Sequence, residues 1–585
     1  MKTLAYALLL IYTVVLSFYI FMSMTNIYKF YIMESTLNSV IPTVLSFFYV
    51  TKTQNNCPTS LNVAARILMI WYVRLVVNKK LSNFVYFCMS SVILSVVYLS
   101  IRLITEAIFG ALLVIVVIFL LNDLIKDTYM TQLSNEIERK VLELVAPSPD
   151  ERRELEDVIE ELKECVKQEI KKRKLPVFIK LVGSTAKDTY LKNSLDIDLF
   201  LLFPTSISKE DIARNALSIG RLFLKDTEEC YAEHPYIRGY FKDCKAEIVP
   251  CYKIENASQK LSAVDRTPLH TEYVKKYLSK PQRHEVRLFK QFLKGIGCYG
   301  AEAEVEGFSG YLCEILIIRY DSFQNLVQNA QSWKYGKKLT LSDGNHQSFD
   351  NPLTFIDPVD NDRNVASALS KEKFDLFVKA CEEYLQYPRV TFFFPNETQT
   401  WSLNTIKSEI QKQKCLYIGV VFSKPDIIVE NLYPQIRKAA RSISEACERY
   451  GFTIFDTRFH VDESGNLIFI IIKTKNELIS KTLVHVGPPV KLEKNVRDFI
   501  LKWEDNPSVI KKPYEKNGRF YVEIKRKFRN IKDFLKYQVK NLSMGKHLDE
   551  IIKEGYDIVE IDYLLRENLH IFWTGYLDGK MSWER

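Results

Sequence analysis

Gly183-Ser184-Thr185-Ala186-Lys187, followed a few residues later by Ser194-Leu195-Asp196-Ile197-Asp198-Leu199-Phe200-Leu201-Leu202-Phe203-Pro204, is the stretch that decides the fold. Leu195–Phe203 reads as a strand. On a strand, side chains alternate, so Asp196 and Asp198 share one face, roughly 6.5 Å apart along the chain. Ile197 and Leu199 point to the other face, into a core. Two like charges side by side repel, and few strands would hold them without a cation. Two divalent ions about 3.5–4 Å apart would relieve that repulsion and serve phosphoryl transfer. One would activate an attacking hydroxyl; the other would hold a triphosphate and its leaving pyrophosphate. Oxygen ligands and phosphate chemistry favour magnesium, Mg2+. Gly183-Ser184 falls between a strand over Val177–Val182 and the start of a helix. Glycine lets the backbone approach a phosphate, and the serine hydroxyl and the helix amides can donate to it. Lys187 adds charge one turn later.

Outward from this centre the chain alternates amphipathic helices and strands. Ser148-Pro149-Asp150-Glu151 forms a capping box with proline at the first helical position. After it, Leu155, Ile159, Leu162, Val166 and Ile170 recur at steps of three or four, which makes one apolar helix face. Lys245–Tyr252 reads as a third strand, and His284–Ile296 as a second amphipathic helix stopped by Gly295 and Gly297. Further on, Arg437–Tyr450 reads as a helix capped by Gly451. Thr453–His460 and Leu467–Lys473 read as a hairpin around Glu463-Ser464-Gly465-Asn466, part of a separate α+β unit.

The 585 residues are too many for one ordinary domain. Their net charge of +9 is unevenly spread. Residues 1–127 hold nine of the 80 basic and four of the 71 acidic residues, which leaves the remainder at +4. RNA binding by that remainder would need a local basic patch rather than a global field. The eleven cysteines are scattered and form no C-x-x-C pair, so neither zinc nor a disulfide framework is indicated. Leu4–Met24, Tyr31–Val50, Leu68–Val77, Phe84–Ile101 and Ile108–Leu121 are apolar runs, which predict four or five transmembrane helices within residues 1–129. The expected location is therefore a membrane, with the catalytic part in the cytoplasm. If translation starts instead at Met130, an ordinary start for a soluble enzyme, the expected location is the cytoplasm.

Several further segments accompany the Gly-Ser turn and the aspartate pair. They are Tyr231-Ala232-Glu233-His234-Pro235-Tyr236, Ile248-Val249-Pro250-Cys251-Tyr252-Lys253 and Ser262-Ala263-Val264-Asp265-Arg266-Thr267-Pro268. Downstream come Gly307-Phe308-Ser309-Gly310-Tyr311-Leu312-Cys313-Glu314, Asp357-Pro358-Val359-Asp360 with Arg363-Asn364-Val365-Ala366, and Lys424-Pro425-Asp426-Ile427 with Asn431-Leu432-Tyr433-Pro434. From about Met130 to the C-terminus, the chain resembles the archaeal (class I) CCA-adding enzymes. These are tRNA nucleotidyltransferases of the DNA polymerase beta-type superfamily. The resemblance implies an α+β multidomain fold: a nucleotidyltransferase palm over 130–280, a helical central domain over 281–400 and a tRNA-binding α+β tail over 401–585. It implies template-independent addition of CCA to the tRNA 3′ end from CTP and ATP. The expected partners are the tRNA acceptor arm and 3′ end, the two nucleotides, and a membrane if residues 1–129 are translated. The oligomeric state is left open, a homodimer included.

The family's metal carboxylates fall on Asp196, Asp198 and Glu247. Glu247 departs from the family pattern, which has aspartate there; it is one methylene longer and must fold back to reach the same ion. The nucleotide site falls on Gly183, Ser184, Lys187, His270, Lys290, Tyr299 and Arg363. Lys187 stands where the family has arginine, keeping the charge without the bidentate fork. Arg363 matches an arginine that helps read the incoming base, and His234 a position near the RNA end. Two other readings stay open: another RNA 3′-end transferase such as a poly(A) polymerase, and a membrane-tethered RNA-binding protein with an inactive transferase domain.

Overall fold

The paired-aspartate strand lies second from the edge of a five-stranded sheet. In this computed structural model, Val116, Ile118 and residues 130–585 other than 193, 232 and 342–346 are described. The sheet contains β1 (Phe178–Val182), β2 (Asp196–Phe203), β3 (Lys225–Tyr231), β4 (Pro235–Phe241) and β5 (Cys244–Tyr252), in the order β1-β2-β5-β4-β3. Only the β2–β5 pairing is parallel. It sets Asp198 opposite Glu247. Helix α1 (Pro149–Lys172) begins at Ser148 with the full capping box and proline in its first turn. Its five spaced apolar residues are all buried against Ile197, Leu199, Leu201 and Phe203 of β2. The short α2 (Gly183–Lys187) follows β1, and α3 (Lys209–Phe223) joins α1 on the covered face.

A mainly helical core comes next. Helices α4 (Thr267–Tyr277), α5 (Gln282–Gly295), α6 (Gly310–Tyr320), α7 (Phe323–Ala330) and α8 (Lys371–Gln386) accompany a small sheet of β6 (Lys337–Leu339), β7 (Leu353–Asp357) and β8 (Asp360–Asn364). Phe289, Phe292, Phe308, Phe323, Phe377 and Tyr384 fill the centre, and helical residues Ile137, Val141 and Val145 pack onto it.

The last part holds α9 (Leu403–Lys412) and a sheet of order β10-β11-β9-β15, with β9 (Leu416–Ser423), β10 (Ile454–Asp462), β11 (Leu467–Thr474) and β15 (Asp557–Glu560). Strands β10 and β11 form the antiparallel hairpin that the sequence predicts. Helix α10 (Val429–Tyr450) runs two turns further toward its N-terminus than its sequence pattern predicts, with Pro434 inside it. Gly451, at φ +107°, caps it as expected. A second small sheet joins β12 (Thr482–Pro489), β14 (Arg519–Lys525) and β13 (Val509–Lys516), in that order, beside α11 (Glu493–Glu504).

The membrane location expected from the sequence is corrected here. Among the described residues no helix is long and apolar enough to cross a membrane. Helix α1 shows why: its 24 residues carry an apolar face on one side only, with Asp150, Glu151, Lys171 and Lys172 at its ends. Such a helix covers a core rather than spanning lipid. Apart from Val116 and Ile118, the four or five spans expected within 1–129 lie outside the described residues.

Candidate active site

Helix α2 turns sharply out of β1 and lays its backbone against β2. Gly183 sits at φ +72°, and a Cβ on it would come within 1.7 Å of Asp198 Oδ2. The position therefore needs glycine twice over, for its backbone angle and for the carboxylate beside it. Thr185 ties the turn down by donating its hydroxyl to the Asp196 carbonyl. The result is a turn pressed against the Asp198 side chain and the Asp196 backbone.

The three carboxylates share a neighbourhood but not one closed shell. Burial, then the charges of Glu247 and Asp196, push the Asp198 carboxyl up to about 7. Such a group is short of positive charge. Lys245 reaches Asp196 only at 3.8 Å. Glu247 is turned elsewhere: Arg238, opposite it on β4, donates from Nε to Glu247 Oε1 at 2.7 Å. Among the described residues no three His, Cys, Asp or Glu side chains gather as a metal shell. The donor set nevertheless suits a hard divalent cation, because Asp196 and Asp198 offer only oxygen and their mutual repulsion falls when a cation arrives.

Lys187 and Lys290 meet at a residue that the sequence reading quotes but gives no role. Glu314, on α6 and fully buried, accepts from Lys187 Nζ at 2.5 Å through Oε2 and from Thr189 Oγ1 at 2.6 Å through Oε1. Lys290 Nζ stands 3.8 Å from the same carboxylate and donates to the Thr189 carbonyl at 3.0 Å. Two ammonium groups against one carboxylate leave a net positive charge at the end of the Gly-Ser turn. Tyr299 completes this side. Its hydroxyl and the Lys290 Cε would both lie within 4 Å of a Cβ on Gly310. Burial, then neighbouring acidic groups, push the Tyr299 phenol up, so it stays a neutral donor.

A second cluster forms around Asp357, also fully buried. Its carboxylate meets His270 Nε2 at 2.9 Å and accepts from Arg363 Nη1 at 2.8 Å, from the Tyr311 hydroxyl at 3.1 Å and from the Val359 amide at 3.1 Å. Burial works to raise this carboxyl, but His270, Arg363 and Val359 more than reverse it and hold it at about 2. The His270 ring stacks on Tyr311 with centroids 4.0 Å apart. Burial, only partly offset by Asp357, keeps His270 below its ordinary pKa and so favours neutral imidazole. Arg363 remains 30% exposed, which leaves part of its fork free for a ligand. His234 stands apart, buried edge-on to Tyr252 with centroids 6.1 Å apart and no hydrogen-bond partner at Nε2.

The structure thus joins Gly183, Ser184 and Lys187 to Asp196 and Asp198, Lys187 to Lys290 through Glu314, and His270 to Arg363 through Asp357. Sequence reasoning gave Glu314, Asp357 and Arg238 no role. The first has a visible signal, a lone acid inside the apolar run Leu312–Ile318. The second lies in the quoted Asp357-Pro358-Val359-Asp360. Arg238 has no signal in the sequence, because its meaning comes from strand pairing.

Comparison with known proteins follows the same three-part order. Residues 159–270 match the model for a nucleotidyltransferase domain, 284–394 that for the second domain of tRNA nucleotidyltransferase, and 414–560 that for the C-terminal domain of the CCA-adding enzyme. The CCA-adding enzyme of Methanosarcina barkeri is 37% identical over 442 residues, which span 74% of this chain and 95% of that one. That of Archaeoglobus fulgidus is 36% identical over 434 residues, 74% of this chain and 96% of that one. With the turn, the aspartate strand and both downstream parts matched in order over nearly the whole length of such relatives, the chain belongs to the family of CCA-adding enzymes.

Proposed function

We propose that the chain adds C, C and A in turn to the 3′ hydroxyl of tRNA, taking them from CTP and ATP, releasing pyrophosphate and copying no template. The observation that carries this is the pair Asp196 and Asp198 on one strand face, pressed against the Gly183 turn. Divalent cations, magnesium by the chemistry of the oxygen donors, would be held by Asp196 and Asp198 and would supply Lewis acidity at the reacting phosphorus and hydroxyl. The Ser184 hydroxyl and the amides of α2 hold phosphate oxygens. Lys187, Lys290 and Tyr299 direct positive charge and a hydroxyl to the same group. Asp357 fixes His270, Tyr311 and Arg363 as one wall of a base pocket, and Arg363 presents donors to base edges. In this reading residues 130–280 are the palm, 281–400 the central domain and 401–585 a tail for the tRNA acceptor arm.

The test is nucleotide use on tRNA lacking its CCA end. CTP alone should extend the RNA by two residues, and ATP should then add one. Long tails from ATP alone, with CTP ignored, would identify a poly(A) polymerase instead.

Two substitutions probe the finer assignments. As a third ligand, Glu247 would have to leave Arg238 to reach the cation, so Glu247→Asp should keep or improve turnover, whereas Glu247→Ala should cost orders of magnitude. Full activity of the alanine variant would remove Glu247 from the site. Arg363→Ala should relax the choice between CTP and ATP and lower kcat more than it weakens tRNA binding. A uniform loss of tRNA affinity with unchanged nucleotide preference would assign Arg363 to the RNA backbone.

A further inference from the structure

Behind the catalytic turn lies a second polar cleft, of about 640 Å³, whose lining includes Thr185 and Ala186 of α2. None of Asp196, Asp198 and Glu247 lines it. Three guanidinium groups line it and converge on one carboxylate. Arg152 and Arg283 reach Asp188 Oδ2 at 3.3 and 3.2 Å, and Arg287 bonds to Oδ1. Arg287 is fully buried and spends Nε on the Tyr190 carbonyl and Nη2 on Asp188, but its Nη1 has no acceptor. The Nε of Arg152 is likewise buried without one. Lys280 adds a further positive charge to the lining; of its acids, Asp188 is shared by the arginines and Glu160 is paired with Lys163, which leaves Glu156. The lining is therefore short of negative charge and of acceptors.

A guanidinium donor buried without an acceptor is costly, and so is excess positive charge in a partly desolvated cleft. An anion with several oxygens removes both costs at once, and guanidinium forks suit phosphate oxygens best. We propose that this cleft is a phosphoanion site, separate from the catalytic one, that takes a diphosphate group. Inorganic pyrophosphate and the diphosphate of a nucleotide share that chemistry. Because Thr185 and Ala186 line the cleft while Ser184 and Lys187 belong to the same five-residue turn, an occupant there braces the catalytic turn from behind.

The test titrates inorganic pyrophosphate into the full chain in the presence of a chelator, which disables metal-dependent binding at the catalytic carboxylates. One site is expected. Arg283→Gln and Lys280→Gln, both at the rim, should each weaken it at least tenfold, while Ser184→Ala should leave it unchanged. These two arms avoid the buried Arg287, whose loss would disturb folding. ADP in place of pyrophosphate separates the sources: equal affinity identifies the diphosphate alone as the ligand, and tenfold tighter binding identifies a nucleotide. The proposal is overturned if pyrophosphate does not bind at millimolar concentration, or if binding is lost in Ser184→Ala but kept in Arg283→Gln. It is also overturned if Arg283→Gln leaves pyrophosphate binding intact and weakens tRNA binding, since the arginines would then serve an RNA backbone.

Discussion

Asp198→Asn should abolish addition of both C and A while making the metal-free protein more stable. Both additions use the same aspartates, so the losses should be equal and large. Removing a ligand that positions a Lewis acid forfeits several kcal/mol of transition-state stabilisation, about 10³-fold or more in rate. The opposite sign for stability follows from the neighbourhood. Asp198 is pushed up to about 7 because it is buried beside Glu247 and Asp196. In metal-free protein at pH 8 its ionised form is therefore a cost of folding, which asparagine removes at constant shape. The melting temperature should rise by about a few degrees. Divalent cation should raise the melting temperature of the parent protein and have a smaller effect on the variant. Near-normal turnover of Asp198→Asn with magnesium, or a lower melting temperature without metal, would contradict the assignment.

How much of this was legible in the sequence depends on the range of the interaction. The capping box at Ser148, the apolar face of α1 and the β10–β11 hairpin are local patterns, and periodicity found them within a few residues. The same-face geometry of Asp196 and Asp198 is a property of any strand. Pro434 interrupts the sequence pattern of α10, so the pattern starts only at Arg437; burial of Leu432 and Ile436 on either side of the proline keeps the first turns helical. Strand β3 carries polar, largely exposed residues such as Lys225-Asp226-Thr227-Glu228, which give no alternation to read. The partners of the site were least legible. Arg238 reaches Glu247 through strand register, and Glu314 lies 127 residues from Lys187. A sequence can show that a residue has an unusual charge for its surroundings, but only the fold shows which charge answers it.

Glu314 is the clearest instance, and its replacement should damage folding and nucleotide binding together. Its carboxylate is the counter-charge for Lys187 and Lys290, which are 8% and 1% exposed. Removing one member of a buried ionic group strands the others, at a typical cost of about 3–5 kcal/mol. Glu314→Gln keeps the shape and the hydrogen bond from Thr189 but leaves two ammonium groups facing each other. Burial already lowers the Lys290 ammonium, with Glu314 the leading influence that holds it up. Without that carboxylate the Lys290 ammonium is disfavoured further, and the triphosphate faces a weaker, unanchored cation. Two effects then compete, since deleting a negative charge also makes the site more positive. The first should win, because Glu314 is the shared anchor of Lys187 and Lys290, and without it neither charge is held in position for the triphosphate. Glu314→Gln should therefore raise the KM for both CTP and ATP about tenfold or more, and nucleotide should restore part of the lost melting temperature. A purely structural role would lower stability without changing the KM of the folded fraction. The triple variant Lys187→Met, Lys290→Met, Glu314→Met separates the two. With every charge removed it should regain most of the stability, as apolar replacements of buried ionic groups often do, and none of the activity. A triple variant that is both stable and active would show that these three charges do not serve the triphosphate.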